Sequence, residues 1–428
     1  MYYEAVMDQQ AKEIQKEVRR FVKEQVSSEY VRAMDREEIL YPREFVEKLA
    51  ACGLLGLRFD PRWGGRGLPW TAEVAAEEEV GVLGTALGCA FVMPSIVGEA
   101  LHVFGTEEQK ERFLRPMLKA QKISAEALTE PRGGSDFFGA TTQAVLDGEH
   151  FIVNGQKRFV VGAAEADLFL VYCRTNFDPK ADKYSRISAL VIERGPGVEA
   201  EYIYGLMGTR GGGTGRLVFR DVRVPKENLI GGLHGGAMVF NQMMIPERMT
   251  SAAASVGGAR AALEIATRYS HRRHAFGQPI RRFQGVSFKV ADAITQLDAA
   301  RGLVYMAARA VDQKAPYARR LVSEAKKFAT DVAWNVANQA MQIMGGIGYT
   351  DVYPVEKIVR DTRLTQIWTG TNEVMNLLIQ HEYYREVLES AADARDVEKD
   401  ALKQDEAEKC FTDEDMWRVH REGIKGGQ

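Results

Sequence analysis

The spacing of apolar residues changes twice along this chain, and those two changes limit the fold more than any other feature. Up to about Gln121 apolar residues recur at helical intervals, as in "AKEIQKEVRRFVKEQV" and "PREFVEKLAACGLLGL". After Ile123 the pattern becomes short β-prone runs, from "TTQAVLDGEHFIVNGQKRFVVGAA" through "DLFLVYCRT", "ISALVIERG" and "VEAEYIYGL" to "GRLVFRDVRVP" at Pro225. From Gly236 to Glu389 it is helical again, with long periodic segments such as "ARRLVSEAKKFATDVAWNVANQAMQIMGG" that suit a bundle. A chain of 428 residues exceeds one ordinary core. The expected organisation is mainly α with a central β domain: an N-terminal helical domain (1–122), a middle β domain of sandwich or barrel type (123–235), a C-terminal helical bundle (236–390) and a charged tail (391–428). The tail is expected to be a peripheral helix or partly disordered.

Local signals add detail. Thr106, with Gln109 three residues on, predicts a capped helix start. "GTALGCAFVMPSIVGEALHVFG" predicts a buried apolar helix broken around Pro94. Asp147-Gly148 and Asn154-Gly155 both predict hairpin turns.

The net charge of -3 gives no electrostatic case for nucleic acid or an acidic membrane as partner. Cys52, Cys89, Cys173 and Cys410 are scattered, which suits a reducing compartment and not a zinc site or disulfide framework. The N-terminus lacks a signal-peptide core, and no charge-free apolar run is long enough to span a bilayer, so the expected location is the cytoplasm.

Several segments carry chemistry or a plainer role. "ALTEPRGGSDFFG" could present amides and the hydroxyls of Thr129 and Ser135 to an anion, or serve as a turn-rich linker. "MGTRGGGTGRLVF" could let a ligand approach its glycines, or form a mobile hairpin. "HRRHAFGQPIRRFQ" places arginines beside phenylalanines, suited to phosphate and a planar ring, or to a solvated basic face. His271 and His274 there have helical spacing, but no nearby acid or thiol completes a metal site. Gly345-Gly346 suits a helix C-cap, and Thr371-Asn372-Glu373 a helix start. Glu247-Arg248 stands out because adjacent opposite charges lie among methionines, alanines and glycines of a close-packing helix. A carboxylate buried there would have a raised pKa and could act as a general base; the alternative is a charge pair at a solvated edge.

Taken together and in order, these segments resemble the acyl-CoA dehydrogenase family from about residue 10 to residue 385. "LTEPRGGSD" resembles its T-E-P-x-x-G-S-D signature, and "NGQKRFVVGA" its N-G-x-K-x-W-I-T-N. "RRHAFGQPI" resembles R-x-x-F-G-x-x-I, "QIMGGIGY" resembles Q-x-x-G-G-x-G, and "IWTGTNEVMNLLI" resembles the closing Gly-Thr loop. The resemblance implies an N-terminal helical domain, a middle β-barrel and a C-terminal four-helix bundle. It also implies an FAD site shared between subunits of a homotetramer or dimer, and oxidation of an acyl-CoA to its α,β-unsaturated product with electrons passed to an electron-transfer flavoprotein.

By that resemblance Leu128, Thr129 and Ser135 would touch the flavin and pyrophosphate, with Ser135 also near the substrate. Phe159 and Val161 would lie at the isoalloxazine. Arg273, Phe276, Phe283 and Gln284 would serve the adenosine-pyrophosphate half, completed by Gln342, Gly345, Gly346, Thr371 and Glu373. In one branch of the family the base precedes the final Gly-Thr; here that residue is Thr369. In the branch with isovaleryl- and long-chain-type enzymes it lies on the first helix of the C-terminal domain, directly before an Arg. That implies Glu247 as base, with Arg248 supporting it or the substrate.

Four positions depart from the family pattern. Phe159 and Val161 replace the usual Trp and Thr; Glu126 stands where relatives often carry an aromatic; and Arg132 replaces a small residue. Val161 keeps open an O2-using oxidase or monooxygenase of the same fold, and a non-catalytic acyl-CoA-binding homologue is a further alternative. The apolar "TALGCAFVMPSIV" segment offers no arginine partner for a free dicarboxylate, and the helix-borne base that the resemblance implies fits a branched, cyclic, aromatic or longer acyl group, in fatty acid or aromatic acid degradation.

Overall fold

The first helices begin where side chains can satisfy their free amides. Helix α1 (Gln9–Gln25) starts at Asp8, which accepts a bond from the Ala11 amide, and α2 (Ser28–Asp35) starts at Ser27, which accepts from Tyr30. Helices α3 (Arg43–Ala51), α4 (Trp70–Gly81) and α5 (Thr85–Phe104) follow. The computed structural model describes residues 4–389 together with Arg395, Val397 and Thr412. Apart from those three residues, the tail expected over 391–428 lies outside the described residues.

Helix α5 corrects the expected break at Pro94, since it runs through that residue. It is buried along most of its length and packs on α4 and the following domains, so tertiary contacts hold a helix that a proline alone would kink. Its apolarity and length would let it cross a bilayer, but most of it lies inside this fold. The expected cap is present: Thr106 and Gln109 bond reciprocally at the start of α6 (Glu107–Gln109). A π-helical turn (Lys110–Leu114) and α7 (Arg115–Leu118) complete the region.

The middle of the chain forms an eight-stranded sheet from β1 (Ser124–Ala127), β2 (Gln143–Asp147), β3 (His150–Val160), β4 (Leu168–Arg174), β5 (Ile187–Glu193), β6 (Val198–Ile203), β7 (Gly215–Pro225) and β8 (Leu229–Ile230). Strand order is β6-β7-β3-β2-β4-β5-β8, and β1 lies parallel to β4 with Glu126 opposite Leu170. Asp147-Gly148 makes the expected hairpin turn, with Gly148 at φ 59°. Asn154-Gly155 does not. Strand β3 continues through both residues with a bulge, because a side chain at Gly155 would strike Thr142 while Asn154 bonds Asp221 across the sheet.

The second helical region contains α8 (Gly236–Arg272), α9 (Gln284–Asp312), α10 (Ala318–Met344), α11 (Val355–Thr365) and α12 (Asn372–Glu389). Helix α8 is about 55 Å long at its 37 residues. Its small residues serve close crossing with α4. A Cβ on Gly257 would lie 2.3 Å from the Glu78 carbonyl oxygen, and one on Gly81 would lie 2.6 Å from that of Ala254. The helix ends at Arg272, so His274 belongs to a short hairpin (β9, His274–Ala275; β10, Gln278–Pro279) and does not share a helical face with His271.

The three glycines of "TRGGGTG" form a packing joint and not a loose hairpin. A Cβ at Gly211 would lie 2.7 Å from Met34, and the neighbouring Thr209 amide bonds Asp361 on α11 at 2.6 Å.

Candidate active site

The site begins with which face α8 turns to the sheet. Phe240 stacks on Phe137 with ring centroids 3.8 Å apart and meets Tyr172 of β4 edge-on at 6.1 Å. Glu247 is seven residues, or about two turns, beyond Phe240, so both share a face. Glu126 on β1 is opposite Leu170, and Tyr172 is two residues further along β4, which puts Glu126 and Tyr172 on one side of the sheet. On that side Glu126 comes under the charge of Glu247. Tyr172 donates to Glu126 Oε1 at 3.4 Å, while Glu126 Oε2 is buried with no hydrogen-bond partner.

Burial raises the pKa of both acids. For Glu126 the charge of Glu247 adds to the rise; for Glu247 neighbouring Glu126 and the charge of Arg248 oppose it. Glu247 stays partly exposed and Glu126 is buried.

Arg248 points elsewhere. Buried at 5 % exposure, it reaches the Thr369 carbonyl at 3.5 Å and the Ser323 hydroxyl at 3.4 Å. Burial and nearby Arg319 bring its pKa down to about 10 against the pull of Glu247. Lys326 of α10 donates to the Gly370 carbonyl at 2.8 Å and to Asn372 at 2.9 Å, and Trp368 donates to Ser251 of α8 at 2.8 Å. Together these bonds draw the "WTGTN" loop against α8. Thr371 caps α12 by accepting from the Val374 amide at 3.3 Å, and Glu373 beside it is exposed.

The "LTEPRGGSD" segment is held from below by a pair that sequence inspection did not single out. Glu130 and Lys157 are 2.8 Å apart and both buried, and Lys157 also donates to the Leu128 carbonyl. Burial would raise the Glu130 pKa, but Lys157 and the Thr141 bonds bring it down to about 2. Both residues lie inside the recognised motifs; their partnership is a long-range contact with no local signature. The pair fixes the strand that presents Leu128 and Thr129, with Ser135 exposed beyond them.

Phe159 is 56 % exposed, sits at φ 57° where β3 is bulged, and lies 5.0 Å from the Tyr204 ring. An exposed aromatic face held in a strained backbone conformation fits a planar ring system. Val161 is partly buried against the core. Gly345 caps α10 at φ 65°, and both it and Gly346 have open space where a side chain would stand, as close backbone approach to a ligand requires. Arg273, Phe276, Gln284 and Gln342 are exposed, Phe276 at 93 %, with its ring edge-on to Phe283 at 5.9 Å. The hydroxyls, arginine, aromatic faces and open glycines suit the pyrophosphate and rings of FAD.

Three regions match the models of the acyl-CoA dehydrogenase N-terminal domain (residues 8–121), middle domain (125–222) and C-terminal domain (234–384). The chain is 35 % identical over 372 residues to a short-chain specific acyl-CoA dehydrogenase of Clostridium acetobutylicum, covering 86 % of this chain and 97 % of that protein. It superposes on the butyryl-CoA dehydrogenase of Megasphaera elsdenii with a TM-score of 0.84 at 32 % identity, covering 89 % and 99 % of the two chains. It also superposes on PigA bound to FAD and proline, with a TM-score of 0.83 at 25 % identity and coverage of 90 % and 99 %. The chain belongs to the acyl-CoA dehydrogenase family. It is an FAD-dependent oxidoreductase that acts on acyl-CoA.

Proposed function

We propose that the protein oxidises the Cα–Cβ bond of a branched, cyclic, aromatic or longer acyl-CoA, with Glu247 as the base, and passes the electrons to an electron-transfer flavoprotein. The observation that carries this reading is the position of Glu247. It is a carboxyl set among buried groups on the face of α8 that meets the sheet, with a pKa raised by burial, while the other position a base could take is Thr369. A raised pKa makes a carboxylate a better proton acceptor from a weakly acidic carbon.

When bound, FAD supplies the acceptor for the β-hydride. Glu247 takes the α-proton. Leu128, Thr129 and Ser135 would hold the flavin and pyrophosphate side, Ser135 also bordering the substrate, and Phe159 with Val161 would cover the ring. Thr371 and Glu373 would close the loop end. Arg273, Phe276, Gln284, Gln342, Gly345 and Gly346, all exposed, with the partly buried Phe283, would complete the cofactor site of a second copy, in a dimer or tetramer. Arg248 would act by holding the Thr369 loop against α8, which shapes the substrate's surroundings.

The test is anaerobic titration of the FAD-loaded protein with linear, branched and cyclic acyl-CoAs beside Glu247→Gln. Bleaching of the wild-type flavin by one thioester, with the variant staying oxidised, supports the reading. A variant that reduces at the wild-type rate sinks it. Rapid reoxidation in air would replace the flavoprotein acceptor by O2.

A further inference from the structure

We propose that Lys326 is a positioning residue for the cofactor: it turns the loop from Trp368 to Asn372 so that the amides of Gly370 and Thr371 face FAD. This rests on that loop bordering FAD, as proposed above, and adds what holds it there.

Helix α10 is built for the contact. Ser323, Lys326 and Thr330 stand three and four residues apart, each fully buried, on a helix whose other buried residues are apolar. Each of the three reaches the loop or the cation beside it. Ser323 accepts from Arg248 at 3.4 Å, and Lys326 Nζ donates to the Gly370 carbonyl at 2.8 Å and to Asn372 Oδ1 at 2.9 Å. Thr330 accepts from Asn372 Nδ2 at 2.9 Å. A buried amine is costly, and these bonds are what offsets it.

The loop needs such a hold. Thr369 lies at φ 52° and Gly370 at φ 85°, and a β-branched residue in the left-handed region is strained. The two carbonyls of the turn go to two buried cations: Arg248 reaches that of Thr369 at 3.5 Å, and Lys326 that of Gly370. A trans peptide points its N–H opposite to its C=O, so the amides of Gly370 and Thr371 turn away from α8 and α10. Among the described residues neither amide has a hydrogen-bond partner. Free N–H groups at the start of the 18-residue α12 suit the anionic half of FAD.

The amine also has a charge to lose. Burial and the charge of Arg248 bring its pKa down to about 7, against the pull of Asp331 on α10 and Glu373 on α12. Of the other helices packed on α10, α9 turns Arg301 to Glu78 and α11 turns Arg363 to Gln366. A neutral amine keeps an N–H for Gly370 and one for Asn372, but loses the charge that strengthens both bonds. The hold is therefore firmest below about pH 7 and weakens as pH rises through that value.

The test is release of FAD from the loaded full chain on dilution, read as free-flavin fluorescence across pH, with no substrate present. Wild type should bind FAD about threefold more weakly at about pH 8.5 than at about pH 6. Lys326→Met should weaken binding about tenfold at the acid end and abolish the step. Asp331→Asn removes a charge that favours the protonated amine, so the step should persist with its midpoint about half a pH unit lower. A lysine that served only to fill the core would not tie that midpoint to Asp331. Wild-type affinity in Lys326→Met at the acid end, or an unmoved midpoint in Asp331→Asn, overturns the proposal. If Lys326→Met does not fold, Asp331→Asn decides alone. Thr371→Ala separates the two readings. If it weakens FAD binding while Lys326→Met does not, the loop borders FAD and Lys326 does not position it. If neither variant weakens binding, the loop does not border FAD, and both readings fail.

Discussion

Two groups of acids in this fold behave in opposite ways. On α4, Glu73, Glu78 and Glu79 are each 3 % exposed or less, and each meets a guanidinium: Arg58 at 2.9 Å, Arg301 at 3.0 Å, and Arg19 at 2.7 Å with Arg260 at 2.8 Å. Burial would raise the Glu79 pKa, but the bonds from Arg260 and Arg19 win and lower it. Glu126 and Glu247 have each other instead, and their pKa values rise. Paired acids tie α1, α4, α8 and α9 together; acids that lack a facing cation are left with affinity for a proton. The difference teaches that in this molecule burial alone does not make a base. The partner decides.

The largest expected effect breaks the comparison on its reactive side. Glu247→Gln should lower the rate of flavin reduction by about 10²- to 10⁴-fold in stopped-flow assays while leaving FAD content unchanged. On the structural side, Arg301→Met should leave Glu78 with only Arg260, 3.3 Å away, and cost about 3 kcal/mol in denaturant unfolding without changing the pH profile of turnover. Lys157→Met should remove the cation facing Glu130 and also loosen the Leu128 strand, which would show as weaker FAD retention.

A pH series sharpens the contrast. Glu79 and Glu130 have folded pKa values below the ordinary 4.5, so their stabilisation is complete above that value and is lost as pH falls, for Glu130 through about 2. Glu126, Glu247 and Glu77 have folded values above 4.5, so their contribution is complete below it and is lost as pH rises through the folded values. The smallest effect tests that sign. Glu77→Gln should raise the melting temperature over wild type by an amount that grows with pH. Should the gain shrink toward alkaline pH, Glu77 is ionised and supported by a charge not recognised above.

Much of this was legible in one dimension. The changes of period placed the three regions, since a helix and a strand bury every 3.6th or second residue regardless of what they pack on. Turn and cap chemistry located the start of α6 and the β2–β3 turn, where four or fewer residues settle the conformation. The motif residues, and the family they imply, were likewise readable. Glu126 was noticeable as an acid where the family often carries an aromatic, but nothing near it in the chain says what it faces.

What the sequence determined by itself was the order of elements, the family and the candidate base, because each depends on residues within a few positions of one another or on motifs in sequence. Only the tertiary structure decided that Pro94 stays inside a helix, that Asn154-Gly155 is a bulge, that Glu130 pairs with Lys157, that Arg248 holds a loop, and that Glu126 comes under the charge of Glu247. Each of those joins groups far apart in the chain, and a carboxyl's pKa depends on the groups that folding brings to it.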